Sequence, residues 1–113
     1  MKVFTYGEIE EALQHSADGG QGLHLFDPRP HCKPSTPGCF RRASEAGHLF
    51  DQDRDRLEAT ARRLGVRVVH VHRRGKGMHV DLVGAPLRKA KAEAKAEAKA
   101  EAKAEAGTQR SLF

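Results

Sequence analysis

Blocks of apolar residues recur along the chain, and the period within each block predicts its element. Residues 1–4 read as a short strand. Thr5-Tyr6-Gly7-Glu8 has the Thr-x-x-Glu form of a capping box, which predicts a helix start. Ile9, Ala12 and Leu13 then give an apolar stripe at helical spacing. The glycine-rich run 17–22 ends that helix. Residues 23–26, Leu-His-Leu-Phe, predict a buried strand ending at Asp27. Pro28, Pro30, Pro34 and Pro37 then forbid regular structure until about Gly38, because each lacks an N–H and fixes its own φ. A short basic helix or turn is expected over 40–46, followed by the apolar stretch 47–50. Asp51 is the expected N-cap of a helix over 52–64, with Leu57, Ala61 and Leu64 on one face and Gly65 as its stop.

The second half of the pattern changes period. Residues 66–72 are rich in β-branched side chains and predict a strand with Val66, Val68, His70 and His72 on one face. The basic turn Arg73-Arg74-Gly75-Lys76-Gly77 leads into a returning strand over 78–83. There His79 and Asp81 fall on one face and Met78, Val80 and Leu82 on the other, so an antiparallel hairpin with a basic tip is expected. Pro86 opens a last helix, and from Lys91 the chain repeats Lys-Ala-Glu-Ala to Ala106. Alanine has the best helix propensity, but no wide apolar face exists to bury. This segment reads as a semi-rigid helical spacer, about 30 Å long if fully helical, with Gly107 expected to break it.

The expected architecture is therefore a small α/β-class domain of the α+β type: a mixed sheet with two or three helices over residues 1–84. An Ala/Lys/Glu linker follows over 85–106, then a terminal peptide over 107–113. No run of 18 apolar residues exists, so no membrane span is expected. The N-terminal residues carry one Lys and then acids, which is not a secretory leader pattern, and a cytoplasmic protein is expected. Net charge is +5, with an acidic first segment and a basic middle: residues 22–81 hold twelve Lys and Arg against seven acids. A basic middle suits an anionic partner such as DNA or RNA, and Arg73, Arg74 and Lys76 at the hairpin tip are the candidate contacts. Cys32 and Cys39 are the only cysteines. Their C-x6-C spacing is not a standard zinc-finger spacing, and two ordinary thiols are expected.

Two groups of residues carry candidate chemistry. His70 and His72 on one predicted strand, and His79 and Asp81 on the next, would form a three-His, one-Asp cluster if the register brings them together. Such a set suits a divalent metal (Zn, Mn or Mg) or acid–base work near neutral pH. Asp27 at a strand end and His48 join His79 and Asp81 as catalytic candidates, and a metal-dependent phosphodiester hydrolase is the enzyme this predicts. A non-catalytic nucleic-acid binder is the alternative without chemistry. The second group is the terminal Gln109-Arg110-Ser111-Leu112-Phe113, which resembles the pentapeptide by which bacterial polymerases and repair proteins dock on the DNA sliding clamp. Leu112 and Phe113 have no core available at a solvated terminus, and a partner pocket would gain about 1.5–3 kcal/mol from each. Gln109 would fix the register, and Ser111 holds the place of a small residue. That resemblance implies an accessory protein of DNA replication or repair, tethered to the clamp.

A broader resemblance covers about residues 23–90. It is carried by Leu25-Phe26-Asp27-Pro28-Arg29, Gly47-His48-Leu49-Phe50-Asp51, Leu57 with Ala61-Arg62-Arg63-Leu64-Gly65-Val66, and His79-Val80-Asp81-Leu82 with Arg88 beyond. These segments look like the small bacterial and phage family called domain of unknown function 4031. The chain departs from it at Gly47, where Ser is usual, at Val80, where an aromatic is usual, and in a longer Pro- and Cys-containing insert. The resemblance implies that Asp27, Arg29, His48, His79, Asp81 and Arg88 are the family's polar positions, and it implies no activity.

Overall fold

The computed structural model describes the main chain of residues 1–74 and 77–111, and the side chains of 1–72 and 77–103. The elements run β1 (Lys2–Phe4), α1 (Ile9–Ala17), β2 (Gly22–Phe26), a 3-10 turn (Arg29–His31), α2 (Gly38–Arg42), β3 (Ala46–Phe50), α3 (Arg54–Arg63), β4 (His72–Arg74), β5 (Gly77–Leu82) and α4 (Gly84–Ser111). The five strands form one mixed sheet in the order β1-β2-β3-β5-β4. β1 and β2 are parallel, joined by α1 as a short crossover, and every other pair is antiparallel. The expected α+β class holds.

Period-two alternation sorts the sheet into two unlike faces. Leu23 and Leu25 of β2, Leu49 of β3, and Val80 and Leu82 of β5 point to one side. There they bury against Leu57, Ala61 and Leu64 from α3 and its C-cap, and against Leu87 and Ala90 of α4. Each fully buried leucine is worth about 1.5–3 kcal/mol of transfer free energy. On the other side, α1 covers only one end, where Phe4, Ala12 and Phe50 form a second small cluster. The rest of that face stays open to a cleft.

Helix α3 is defined at both ends by its own sequence. Asp53, not Asp51, is the N-cap: its carboxylate accepts the Arg56 N–H at 3.1 Å. Asp51 is wholly buried instead, and the chain needs two more residues to leave the sheet before α3 can start. At the far end Gly65 takes φ +98, its N–H bonds to the Arg62 carbonyl, and the Val66 N–H bonds to the Ala61 carbonyl. That closure is a Schellman motif, which needs the left-handed conformation glycine supplies.

Four expectations are corrected. The predicted strand over 66–72 shrinks to His72–Arg74. Val66, Val69 and Val71 each pack on the edge of the main core while Val68 is 68 % exposed, so their burial does not follow a period of two. The first helix starts at Ile9, not at the capping box. Thr5 and Glu8 do bond each other, but around a turn that precedes the helix. Ile9 is exposed, and Ser16 rather than Ile9 joins Ala12 in the buried stripe. The packed body does not end at residue 84: Leu87, Ala90 and Ala94 of α4 are buried, and Glu97 pairs with the Met1 amine. Finally, α4 continues through Gly107 to Ser111 rather than breaking there, since a single glycine costs a helix only about 1 kcal/mol.

Candidate metal and acid–base centre

The strand registers build the site. His24 on β2 pairs with His48 on β3, and His48 pairs with Asp81 on β5. One step along, Phe50 pairs with His79, and His79 pairs with His72 on β4. Directly paired residues share a face with side chains about 5 Å apart. Four imidazoles and one carboxylate therefore cross four strands in two adjacent rows on the partly open face of the sheet.

Asp81 is the hub. Its Oδ1 lies 2.8 Å from His48 Nδ1 and 3.5 Å from His79 Nε2, and its Oδ2 lies 3.6 Å from His72 Nε2. Burial alone would raise the Asp81 carboxyl. The His48 hydrogen bond and the neighbouring imidazoles outweigh it, and the net pKa falls below the ordinary value. One ligand atom from each of His48, His79 and Asp81 lies within 4.8 Å of the others, so these three residues can hold a metal ion. Mixed imidazole and carboxylate donors suit zinc or manganese, whereas magnesium prefers oxygen ligands.

The tautomer of His79 is fixed by its surroundings. Its Nδ1 lies 2.9 Å from the Gly77 carbonyl, which can only accept, so Nδ1 carries the proton. Burial lowers the pKa of this ring and favours its neutral form. In that form Nε2 presents a lone pair toward the Asp81 carboxylate. Two acceptors facing each other at 3.5 Å repel unless a cation lies between them. A backbone carbonyl behind a ligand histidine is the usual way a metal-binding nitrogen is oriented.

His48 is held by stacking as well as by Asp81. Its ring lies 3.9 Å from that of Phe26 at 6°, and 5.8 Å from that of His24 at 4°. His24 is only 5 % exposed, its Nε2 lies 3.3 Å from the Tyr6 carbonyl, and desolvation lowers its pKa. Its Nδ1 has no partner among the described residues. Sequence reasoning did not place His24 or Phe26 beside His48, His79 and Asp81. Their signal was the alternation Gly22-His24-Phe26 facing Ala46-His48-Phe50, visible only once β2 and β3 are paired.

Other candidates fall elsewhere. His70 is exposed in the irregular segment before β4, so it leaves the expected metal set, and His48 stands in the cluster in its place. Asp27 is tied up by Arg29, whose Nε and Nη2 lie 3.0 and 2.7 Å from its oxygens. Those hydrogen bonds lower its pKa to about 2, and Asp27 shapes the turn after β2 rather than joining the cluster. Arg88 is exposed on α4. Cys32 and Cys39 are free thiols, and the Cys32 thiol donates to the Pro28 carbonyl. The side chains of Arg73, Arg74, Lys76, Gln109, Ser111, Leu112 and Phe113 lie outside the described residues. No helix among the described residues is long and apolar enough to cross a membrane.

A cleft of ≈ 860 Å³ opens beside the cluster, with His48, His72 and Asp81 in its wall. Its size is that of a small-molecule site. No protein-family model, curated protein or solved structure matches the chain.

Proposed function

We propose that the protein is a metal-dependent hydrolase of phosphodiesters, with the ion held by His48, His79 and Asp81. The observation that carries this reading is the placement of His79, with Nδ1 on the Gly77 carbonyl and Nε2 3.5 Å from the Asp81 carboxylate, an arrangement a divalent cation between Nε2 and the carboxylate would satisfy. A bound ion would supply Lewis acidity toward a phosphoryl oxygen. In hydrolysis a water oxygen bonds to phosphorus as the bond to the leaving oxygen breaks. The water loses a proton, and the leaving oxygen gains one. His72 stands in the cleft wall beside Asp81, outside the three-residue group, and is the base assigned to take the water's proton. Calorimetric titration of the metal-free protein with zinc and with manganese is expected to show one site. Cleavage of bis(p-nitrophenyl) phosphate should stop in EDTA and return with metal. Absence of uptake for both ions removes the reading.

A second reading keeps the terminal peptide as a sliding-clamp anchor, and it is favoured by α4. Residues 95–103 of this helix are exposed, and Glu97, paired with the Met1 amine, is the last described residue of the helix with an ion pair to the body. The two readings are compatible, because a clamp tether raises the local concentration of an enzyme on DNA. The main chain is helical to Ser111, so docking in an extended form would unwind the last turn, where Gly107 already weakens the helix. Binding to a purified bacterial clamp is expected at about micromolar affinity. It should vanish in a Leu112→Ala, Phe113→Ala double variant, and equal binding by both proteins would exclude the anchor.

A further inference from the structure

We propose that the cleft beside the cluster binds unpaired nucleobases, so that the phosphodiester presented to the site belongs to single-stranded nucleic acid. This rests on the hydrolase reading for the chemistry, but not for the binding. The cleft wall is mixed in character. His48, His72 and Asp81 of the cluster line it, together with apolar residues that include Phe26, Phe40, Pro37, Val66 and Val68. Val68 is 68 % exposed, an unusual state for a valine beside a concave surface. Phe26 already stacks on a ring of the cluster at 3.9 Å, which places an aromatic platform next to the groups that would meet a phosphate.

Hydrogen-bond donors narrow the occupant. The Arg67 guanidinium and the imidazoles of His31, His48, His70 and His72 line the cleft and can donate to phosphate oxygens, and Asp81 is the carboxylate among the described lining residues. The fitting ligand is an anion with a flat apolar part joined to it, which describes a nucleotide unit. A duplex keeps its base faces stacked and shielded, and a concave site of this size would meet only its backbone. Unpaired bases expose the faces that Phe26 and Phe40 can stack on, and stacking of this kind tolerates any base. The wall bearing Phe40 follows an insert punctuated by Pro28, Pro30, Pro34 and Pro37. Fixed φ values pre-order such a wall and lower the entropic cost of closing it on a strand.

The test uses the full chain in EDTA at low salt, so that no cleavage occurs. Fluorescence anisotropy compares a labelled short oligodeoxythymidylate, the same length of abasic strand, the corresponding duplex, and oligouridylate. Both base-bearing single strands are expected to bind at least about tenfold tighter than duplex or abasic strand. A preference between the DNA and RNA strands reports contact with the 2′-hydroxyl, and either order fits. Phe40→Ala should weaken oligodeoxythymidylate binding at least about fivefold, and Val68→Ser, at an exposed position, should weaken it in the same direction. Equal affinity for abasic strand, equal affinity for duplex, or unchanged affinity in both variants would overturn the proposal. Zinc uptake is measured separately on the same protein preparation after EDTA has been removed. A protein that takes up zinc but ignores base-bearing strands loses this inference alone, and one that binds strands but not metal loses the hydrolase reading alone.

Discussion

Asp81→Asn is expected to weaken uptake of zinc or manganese at neutral pH by at least about 100-fold, and cleavage should fall with it. The substitution keeps the shape of the side chain and removes its charge. It also reverses the local chemistry. An asparagine amide can donate to the His79 Nε2 lone pair, filling the direction in which an ion would bind. The folded state loses no volume, so the fold should persist with stability lowered by the weakened His48 contact, while metal affinity collapses. The pH dependence of uptake has a definite sign. Metal competes with protons for His79 and Asp81, and both groups have pKa values below their ordinary ones. The His79 ring should therefore not compete until pH falls below about 6.5, and the carboxylate only far below that. Wild-type affinity should be flat above neutrality and decline as acid protonates His79. Calorimetry at several pH values on both proteins checks this. Equal affinity for wild type and Asp81→Asn would show that the carboxylate is not a ligand.

Asp51→Ala is expected to destabilise the fold by about 3 kcal/mol, a large share of the stability of a domain this small. The Asp51 side chain is 0 % exposed. It accepts from Arg56 Nε and Nη2 at 2.6 and 2.7 Å, from Gln21 Nε2 at 3.0 Å, and from the Asp53 N–H at 2.9 Å. Gln21 also donates to Thr60 Oγ1. One carboxylate thus ties the end of β3, the start of α3 and the loop entering β2. Arg56 is half-exposed and would rehydrate, but the Asp53 N–H and the Gln21 amide would lose a buried acceptor. The urea midpoint should fall with little change in slope, since the surface exposed on unfolding is nearly the same. An unchanged midpoint would show that this network contributes nothing net.

Local chemistry made some elements legible in the sequence. Gly65 announced the end of α3 because only a left-handed residue closes that helix, and the split of Met78, Val80 and Leu82 from His79 and Asp81 announced β5. The pairing of His79 with Asp81 on one face followed directly. What depended on long-range placement was less visible. Asp51 has the chemistry of a cap, yet the end of β3 buries it where Arg56 can reach it. The valines after Gly65 have strand propensity, but the β4 ladder starts only at His72, which removed His70 from the site. His24 and Phe26 flank Leu25 in a strand that looks buried throughout, and only β3 beside it shows which of those residues face His48. The alanines of α4 form no broad apolar stripe, and Ala90 and Ala94 are buried because the body presents a surface to them.

Gly47 is the second residue of β3, the middle strand of the sheet, where a Cβ would come within 2.7 Å of Leu23 Cδ1 and 2.9 Å of Leu87 Cδ1. The missing side chain lets the root of α4 lie close against the sheet. That helix has 28 residues and so extends about 42 Å from its start. A lever of this length converts a tilt of a few degrees at its root into a displacement of several ångströms at its tip. The bearing of the far end of α4 relative to the sheet is thus aimed by a hydrogen atom on β3.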